Sequence, residues 1–223
     1  MNIRNITLAS LLFLGLMLAI PNLAAATDAS GITLQNISGE VLLKNNGNPL
    51  FELTACEQKL AIGDVVQTTR GSHCTINFHD KAIATINPSS LVEIQDDSFR
   101  LKIGDTWLFF KKDGSKFKVL TPSAVIGVRG TVFDVRVVLS GRSDVKLYEG
   151  EINVADNAGK EYTLKSGNRC TLDTGCKYET APLTAKELDG SPIKANGSDP
   201  RVKIQKIDQV MKQLKDVPVM QFK

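Results

Sequence analysis

From residue 32 to residue 43 apolar and polar residues alternate, with Gly39 interrupting the run. That period of two is the mark of a strand with one buried face. The pattern returns over 65–69, 72–79, 81–86, 91–95, 99–103 and 107–111, and again over 132–139, 144–148, 152–154 and 162–164. Turn-forming residues separate the runs. They include the cluster from Asn45 to Pro49, the dipeptides Asp80-Lys81 and Asp96-Asp97, and the loop Ser140-Gly141-Arg142-Ser143. Many short strands at intervals of about ten residues predict a mainly β domain, an antiparallel β-sandwich or β-roll.

The clearest strand is 132–139. Phe133, Val135, Val137 and Leu139 fall on one face, Asp134 and Arg136 on the other. The run after it sends Val145 and Leu147 inward and Lys146 outward, so Asp134 faces Lys146, or Arg136 diagonally. Exposed pairs of this kind contribute about 0–1 kcal/mol and fix register at most. A turn also recurs. Leu60-Ala61-Ile62-Gly63-Asp64 is echoed by Leu101-Lys102-Ile103-Gly104-Asp105 and by Leu164-Lys165-Ser166-Gly167-Asn168. Glycine allows a positive φ, and the Asp or Asn can bond the backbone two residues on, so each copy predicts a corner leading into a new strand.

The ends differ from this β pattern. Residues 1–26 have a basic start at Arg4, an apolar stretch, Pro21 and then Ala24-Ala25-Ala26, which reads as a secretory signal cleaved after Ala26. The β domain is expected over 27–179, a polar linker over 180–198 and a C-terminal α-helix over 199–217. Pro200 stands in the first helical turn and Pro218 ends the helix. Ile207, Val210, Met211 and Leu214 form its apolar stripe, with Lys203, Lys206, Lys212 and Lys215 off it. That stripe either docks on the sheet or serves a partner protein.

Charge adds little. Lys plus Arg number 27 against 24 Asp plus Glu, a near balance that gives no steering toward nucleic acid. The four cysteines, Cys56, Cys74, Cys170 and Cys176, fall in the exported part, where oxidation is expected. Three connectivities exist; the favoured one is local, Cys56–Cys74 and Cys170–Cys176, because each pair flanks a turn.

One stretch carries more. Thr121-Pro122-Ser123-Ala124-Val125 runs into Ile126-Gly127-Val128-Arg129-Gly130-Thr131 and Phe133. This resembles the TP-x-A-x-x-G-x-RGT-x-F signature of FecR domains. Ile62-Gly63-Asp64 with Thr68, Ser72 and Ile76-Asn77-Phe78-His79-Asp80 resembles the upstream segment of that family. Ser90 to Ile94 and Val145 to Gly150 resemble its flanking strands. The likeness covers about 62–168, with Lys81 where the family has Gly. It implies an extracytoplasmic β domain. The best-known FecR proteins add a membrane span and a cytoplasmic segment that controls a sigma factor. Retaining 1–26 as an anchor would leave seven residues inside, too few for such a unit, so the relay is not carried over.

On the residues themselves, Pro122 pins the entry to the segment, and Gly127 and Gly130 permit a bent or bulged backbone. Arg129 between them clamps freed carbonyls or contacts a ligand. Trp107 and Phe109 share a face. They belong to the core or its margin, or else form a flat platform for a carbohydrate or protein. His73 and His79 stand six residues apart, about 20 Å along a strand, too far for one metal. No nucleophile elbow, P-loop or zinc-protease motif occurs. The expectation is a non-catalytic periplasmic or secreted binding or scaffold module, with no cofactor, engaging an envelope protein or glycan. A signalling component acting through a separate membrane partner is the alternative, and an envelope enzyme is a third.

Overall fold

A computed structural model describes residues 31–54, 56–79, 81–112 and 116–189. The expected signal at 1–26, the linker beyond residue 189 and the helix at 199–217 lie outside these residues. Among the described residues, no helix is long and apolar enough to cross a membrane.

Seventeen strands and one short helix follow in order: β1 Ile32–Ser38, β2 Val41–Lys44, β3 Glu52–Thr54, β4 Gln58–Leu60, β5 Val65–Thr68 and β6 His73–Phe78; then β7 Ala82–Ile86, β8 Leu91–Gln95, β9 Ser98–Phe110, β10 Phe117–Leu120, β11 Ala124–Val128 and β12 Val132–Val137; then β13 Ser143–Glu149, β14 Glu151–Asp156, β15 Glu161–Lys165, β16 Asn168–Leu172, β17 Tyr178–Pro182 and α1 Ala185–Asp189. They make two sheets that share one strand. Sheet I runs β4–β1–β6–β7–β9–β12–β13–β16–β17. Sheet II runs β3–β2–β5–β8–β9–β10–β11–β14–β15. Among the described residues every pairing is antiparallel except β9 with β10. The mainly β expectation holds.

The alternation read from the sequence decides which residues meet between the sheets. Cys74, Ile76 and Phe78 of β6 point inward, as do Phe133, Val135 and Val137 of β12 and Val145 and Leu147 of β13. Four phenylalanines from both sheets meet at the centre. Phe117 lies 5.0 Å from Phe78, 5.5 Å from Phe110 and 6.1 Å from Phe99, ring centre to ring centre.

Strand β9 departs from expectation. Residues 99–103 and 107–111 read as two strands with a corner at Gly104-Asp105. The structure has one strand of 13 residues. Its first half pairs with β8 and β10 in sheet II, its second with β7 and β12 in sheet I. Gly104, at φ +107°, is where it bends from one sheet to the other. Ser90 fastens the bend: its hydroxyl accepts from Asp105 N at 3.0 Å and donates to Asp105 O at 3.2 Å. The other two copies of the motif are corners, with Gly63 at +92° and Gly167 at +79°. Asp64 accepts from the backbone N–H groups of Asn46 and Ala61, both at 2.8 Å.

Three further differences have local causes. Leu139, expected on the inner face, lies beyond the end of β12 and is 92% exposed. The region 180–198, read as linker, begins with the end of β17 and then α1. Thr184 caps α1: its hydroxyl accepts from Glu187 N at 3.3 Å and its backbone N–H donates to Glu187 Oε2 at 2.9 Å, a capping box. The cysteines are all free. Strand β1 lies between β4 and β6, with Leu34 facing both Gln58 and Ile76, so a bridge from Cys56 to Cys74 would have to cross it. Two inter-strand steps are about 9.6 Å, against the roughly 7 Å limit between bridged Cα atoms. Cys170 faces Thr180 across the β16–β17 hairpin, and Cys176 lies in the turn that joins the two strands. Cys74 and Cys170 are buried, which pushes both thiols up to about 12.

Candidate functional site: the outer face of sheet I

The signature stretch forms two turns. Thr121 to Ala124 closes the β10–β11 hairpin: Thr121 Oγ1 accepts from Ala124 N at 2.9 Å and from Ser143 Oγ at 2.8 Å, while Ser143 Oγ lies 2.6 Å from Ser123 Oγ. Ser123 and Ser143 are fully buried, so these hydroxyls tie the sheet II turn to strand β13 of sheet I. Pro122 O accepts from Asn157 Nδ2 at 2.9 Å. Arg129, Gly130 and Thr131 carry the chain from β11 to β12, between the sheets. Gly130 has φ +72°, and a Cβ there would stand 2.7 Å from Lys112 Cβ. Gly127 is an ordinary strand residue in β11, so the expected bend sits at Gly130 alone. Arg129 is exposed and clamps no carbonyl among the described residues. Phe133 is core. His73 and His79 are both exposed. Asp97, at φ +42°, lies in the β8–β9 turn. Among the described residues no group of three His, Cys, Asp or Glu could hold a metal ion.

The second half of β9 carries the other feature read from the sequence. Thr106, Leu108 and Phe110 are buried, so Trp107 and Phe109 turn to the outer face of sheet I, each partly exposed. Register builds a row across the strands there: Thr85 faces Trp107, Trp107 faces Asp134, Asp134 faces Lys146, and Lys146 faces Arg169. Beside it runs Asn77, Ile83 and Phe109. Neighbours in such rows sit about 4.5–5.5 Å apart.

The expected Asp134–Lys146 contact is one of register, without an ion pair. Lys146 instead reaches Glu187 of α1 at 3.4 Å, and Arg169 reaches the same carboxylate at 3.1 Å. Hydrogen bonding by the Thr184 backbone, with Lys146 and Arg169 close by, holds Glu187 down at about 2. Asp134 accepts from Tyr148 Oη at 2.8 Å through one oxygen. Its other oxygen, Trp107 Nε1 and Asn77 Oδ1 are buried without a partner. Burial is the main reason Asp134 rises from 3.8 to about 6, with Asp105 adding repulsion. Asp105 is itself raised, chiefly by burial. The face thus offers an indole and a phenyl ring, with the Asp134–Tyr148 pair partly buried beside them. Asp134, Tyr148 and Glu187 escaped the sequence reading as site residues. The outward parity of Asp134 was visible there; its partners were not.

Folding raises the pKa of Asp134, so the folded protein holds the proton more tightly. Its contribution to stability is full below about pH 4 and falls as pH rises through about 6. Asp134→Asn removes that loss and leaves an acceptor for Tyr148. The variant is expected to gain about 1–2 kcal/mol at pH 8, a figure discounted for solvent contact, and nothing near pH 4. Urea melts at the two pH values check this; a variant weaker at pH 8 contradicts it.

The family described as "FecR protein" matches residues 64–153. No curated protein matches the chain. Two crystal structures of a "putative anti-sigma factor" from Parabacteroides distasonis ATCC 8503 are similar to it at 16% identity with a TM-score of 0.48. The similarity covers 56% of this chain and 62% of that one, so this chain spans less than two thirds of its neighbour's length.

Proposed function

With residues 64–153 belonging to the FecR family, we propose that this protein is a non-catalytic extracytoplasmic recognition module that engages a cell-envelope glycan or protein through the outer face of sheet I. The observation that carries the reading is the pairing of two partly exposed aromatic side chains, Trp107 and Phe109, on one sheet face. Aromatic faces stack on the apolar faces of sugars and on apolar side chains. The 1–26 leader and the FecR match both support a place outside the cytoplasm.

The test is co-sedimentation with purified peptidoglycan, alongside capture from solubilised envelope. Trp107→Ala is expected to lower retention about tenfold or more, as loss of a central aromatic anchor does. Retention that is unchanged in both assays overturns the reading.

A second reading follows from the FecR match: the module reports a ligand to a separate membrane partner in a sigma-factor regulatory system. Its support is the family itself, whose best-known members are signalling proteins. Capture of a membrane-bound regulator, lost in Trp107→Ala, favours it over simple glycan binding.

A further inference from the structure

Sheet II begins at strand β3, Glu52–Thr54, which among the described residues pairs with β2 alone. One side of its backbone therefore keeps N–H and C=O groups open to another strand. The other three sheet edges are guarded. Lys59 stands on β4, Glu161 and Lys165 on β15, and Glu179 and Pro182 on β17, all exposed. Charges and prolines at an edge keep foreign strands off. At β3 the exposed side chains are apolar: Leu50 at 66%, Phe51 at 39% and Leu53 at 65%. Ile62, 49% exposed, lies behind the same turn, its carbonyl accepting from Asn46 Nδ2 at 3.1 Å. Of the seven exposed large apolar side chains among the described residues, four thus lie at this end of sheet II. Such a grouping marks a protein interaction surface.

Parity and charge decide what fits it. On the outer face of sheet II, Leu53 faces Leu42, Leu42 faces Gln67, Gln67 faces Leu91 and Leu91 faces Ile103. A mostly apolar row therefore runs up to the β3 edge and stops there. A second β3, added antiparallel about a two-fold axis through the edge, sets outer residues beside outer residues. An axis at Glu52 would put two carboxylates face to face, which is destabilising. An axis at Thr54 would carry half the pairing past the end of the strand. An axis at Leu53 pairs the whole strand with itself: leucine meets leucine, and Glu52 meets Thr54.

We propose that β3 pairs with β3 of a second copy of this chain, antiparallel about Leu53, so that two copies of sheet II run on as one sheet. The apolar row continues through the two leucines, and each open edge satisfies the other. The contact is isologous, so it closes at two copies. A three-residue strand makes a small contact, short of the roughly 1,200 Å² of a stable interface, so the dimer is reversible. The pairing does not depend on sheet I being a ligand face.

The full chain is used for the test, with Cys56→Ser and Cys176→Ser removing the thiols that are not buried. In that background Leu53→Cys is expected to give a disulfide-linked dimer on mild oxidation, because facing Cα atoms lie about 4.5–5.5 Å apart, within bridging range. Leu139→Cys, at a site 92% exposed, is expected to give none. Cross-linking at neither position, or equally at both, overturns the proposal. Sedimentation of the unsubstituted chain is expected to show a monomer–dimer equilibrium. Leu53→Asp sets two carboxylates opposite each other and should weaken that equilibrium about tenfold or more, with the urea melt unchanged. Glu52→Gln should leave it as it was; a much tighter dimer would mean that Glu52 meets Glu52, and the register falls. A chain that stays monomeric at every concentration overturns the proposal and leaves the edge to an extended segment of another protein.

Discussion

Gly104→Ala is expected to destabilise the protein by about 3–5 kcal/mol, combining a strained backbone with overpacking. Gly104 sits at φ +107°, and a Cβ added there would overlap Cα, Cβ and Oγ of Ser90. Ser90 cannot retreat. It is buried, its hydroxyl bonds both backbone groups of Asp105, its N–H donates to Thr68 Oγ1 at 3.0 Å, and its carbonyl accepts from Thr68 N at 3.0 Å. The collision also falls where β9 passes between the sheets, so relief by backbone movement disturbs both. Gly159→Ala is the matched control. Gly159 has φ +80° with nothing within 4 Å of the added carbon, so only the conformational cost of about 1 kcal/mol applies. Guanidinium unfolding of the two variants, followed by Trp107 fluorescence, separates strain from collision. Equal losses at both positions would sink the steric argument.

Phe117→Ala should cost about as much, 3–5 kcal/mol on the usual scale for a buried phenylalanine. Phe117 is 2% exposed and touches Phe78, Phe99 and Phe110, one ring from sheet II and two from sheet I. Its removal leaves a void bordered by rings that cannot all close in. Phe117→Leu keeps most of the volume and is expected to lose about 1–1.5 kcal/mol. A small loss for alanine would mean that the four rings are not the centre of the core.

The parts of the fold legible in the sequence are those where local alternation meets a sheet with one wet face. Strand β8 is read at its observed bounds, and the inward residues are read correctly for β13 and, as far as Val137, for β12. Strand β11 was missed as a strand because it lies in the signature stretch, where Thr121, Pro122 and the glycines look like irregular backbone, and β10 because it is a short run leading straight into that stretch. Gly104 misled for a physical reason. Positive φ serves a corner and a strand bend equally, and the difference lies in which strands arrive beside it. The site was half legible. Parity put Trp107 and Phe109 together and Asp134 outward. Only register could set Asp134 beside Trp107, and only the capped helix α1 could draw Lys146 away toward Glu187. For Cys56 and Cys74 too, proximity along the chain says nothing about a strand lying between.

The two-by-two laying of hairpins on alternate sheets bears on how such a chain comes together. Strands β1 to β3 never pair with β10 to β17, and from β9 onward each partner lies at most three strands back. Loops closed by such pairings are short, so their entropy cost is modest and the contact order is low for an all-β protein. A chain emerging N-terminus first would find each new hairpin's platform already in place. Assembly can then proceed in step with delivery, and the last of the described elements to arrive, β17 and α1, complete the face that carries Trp107.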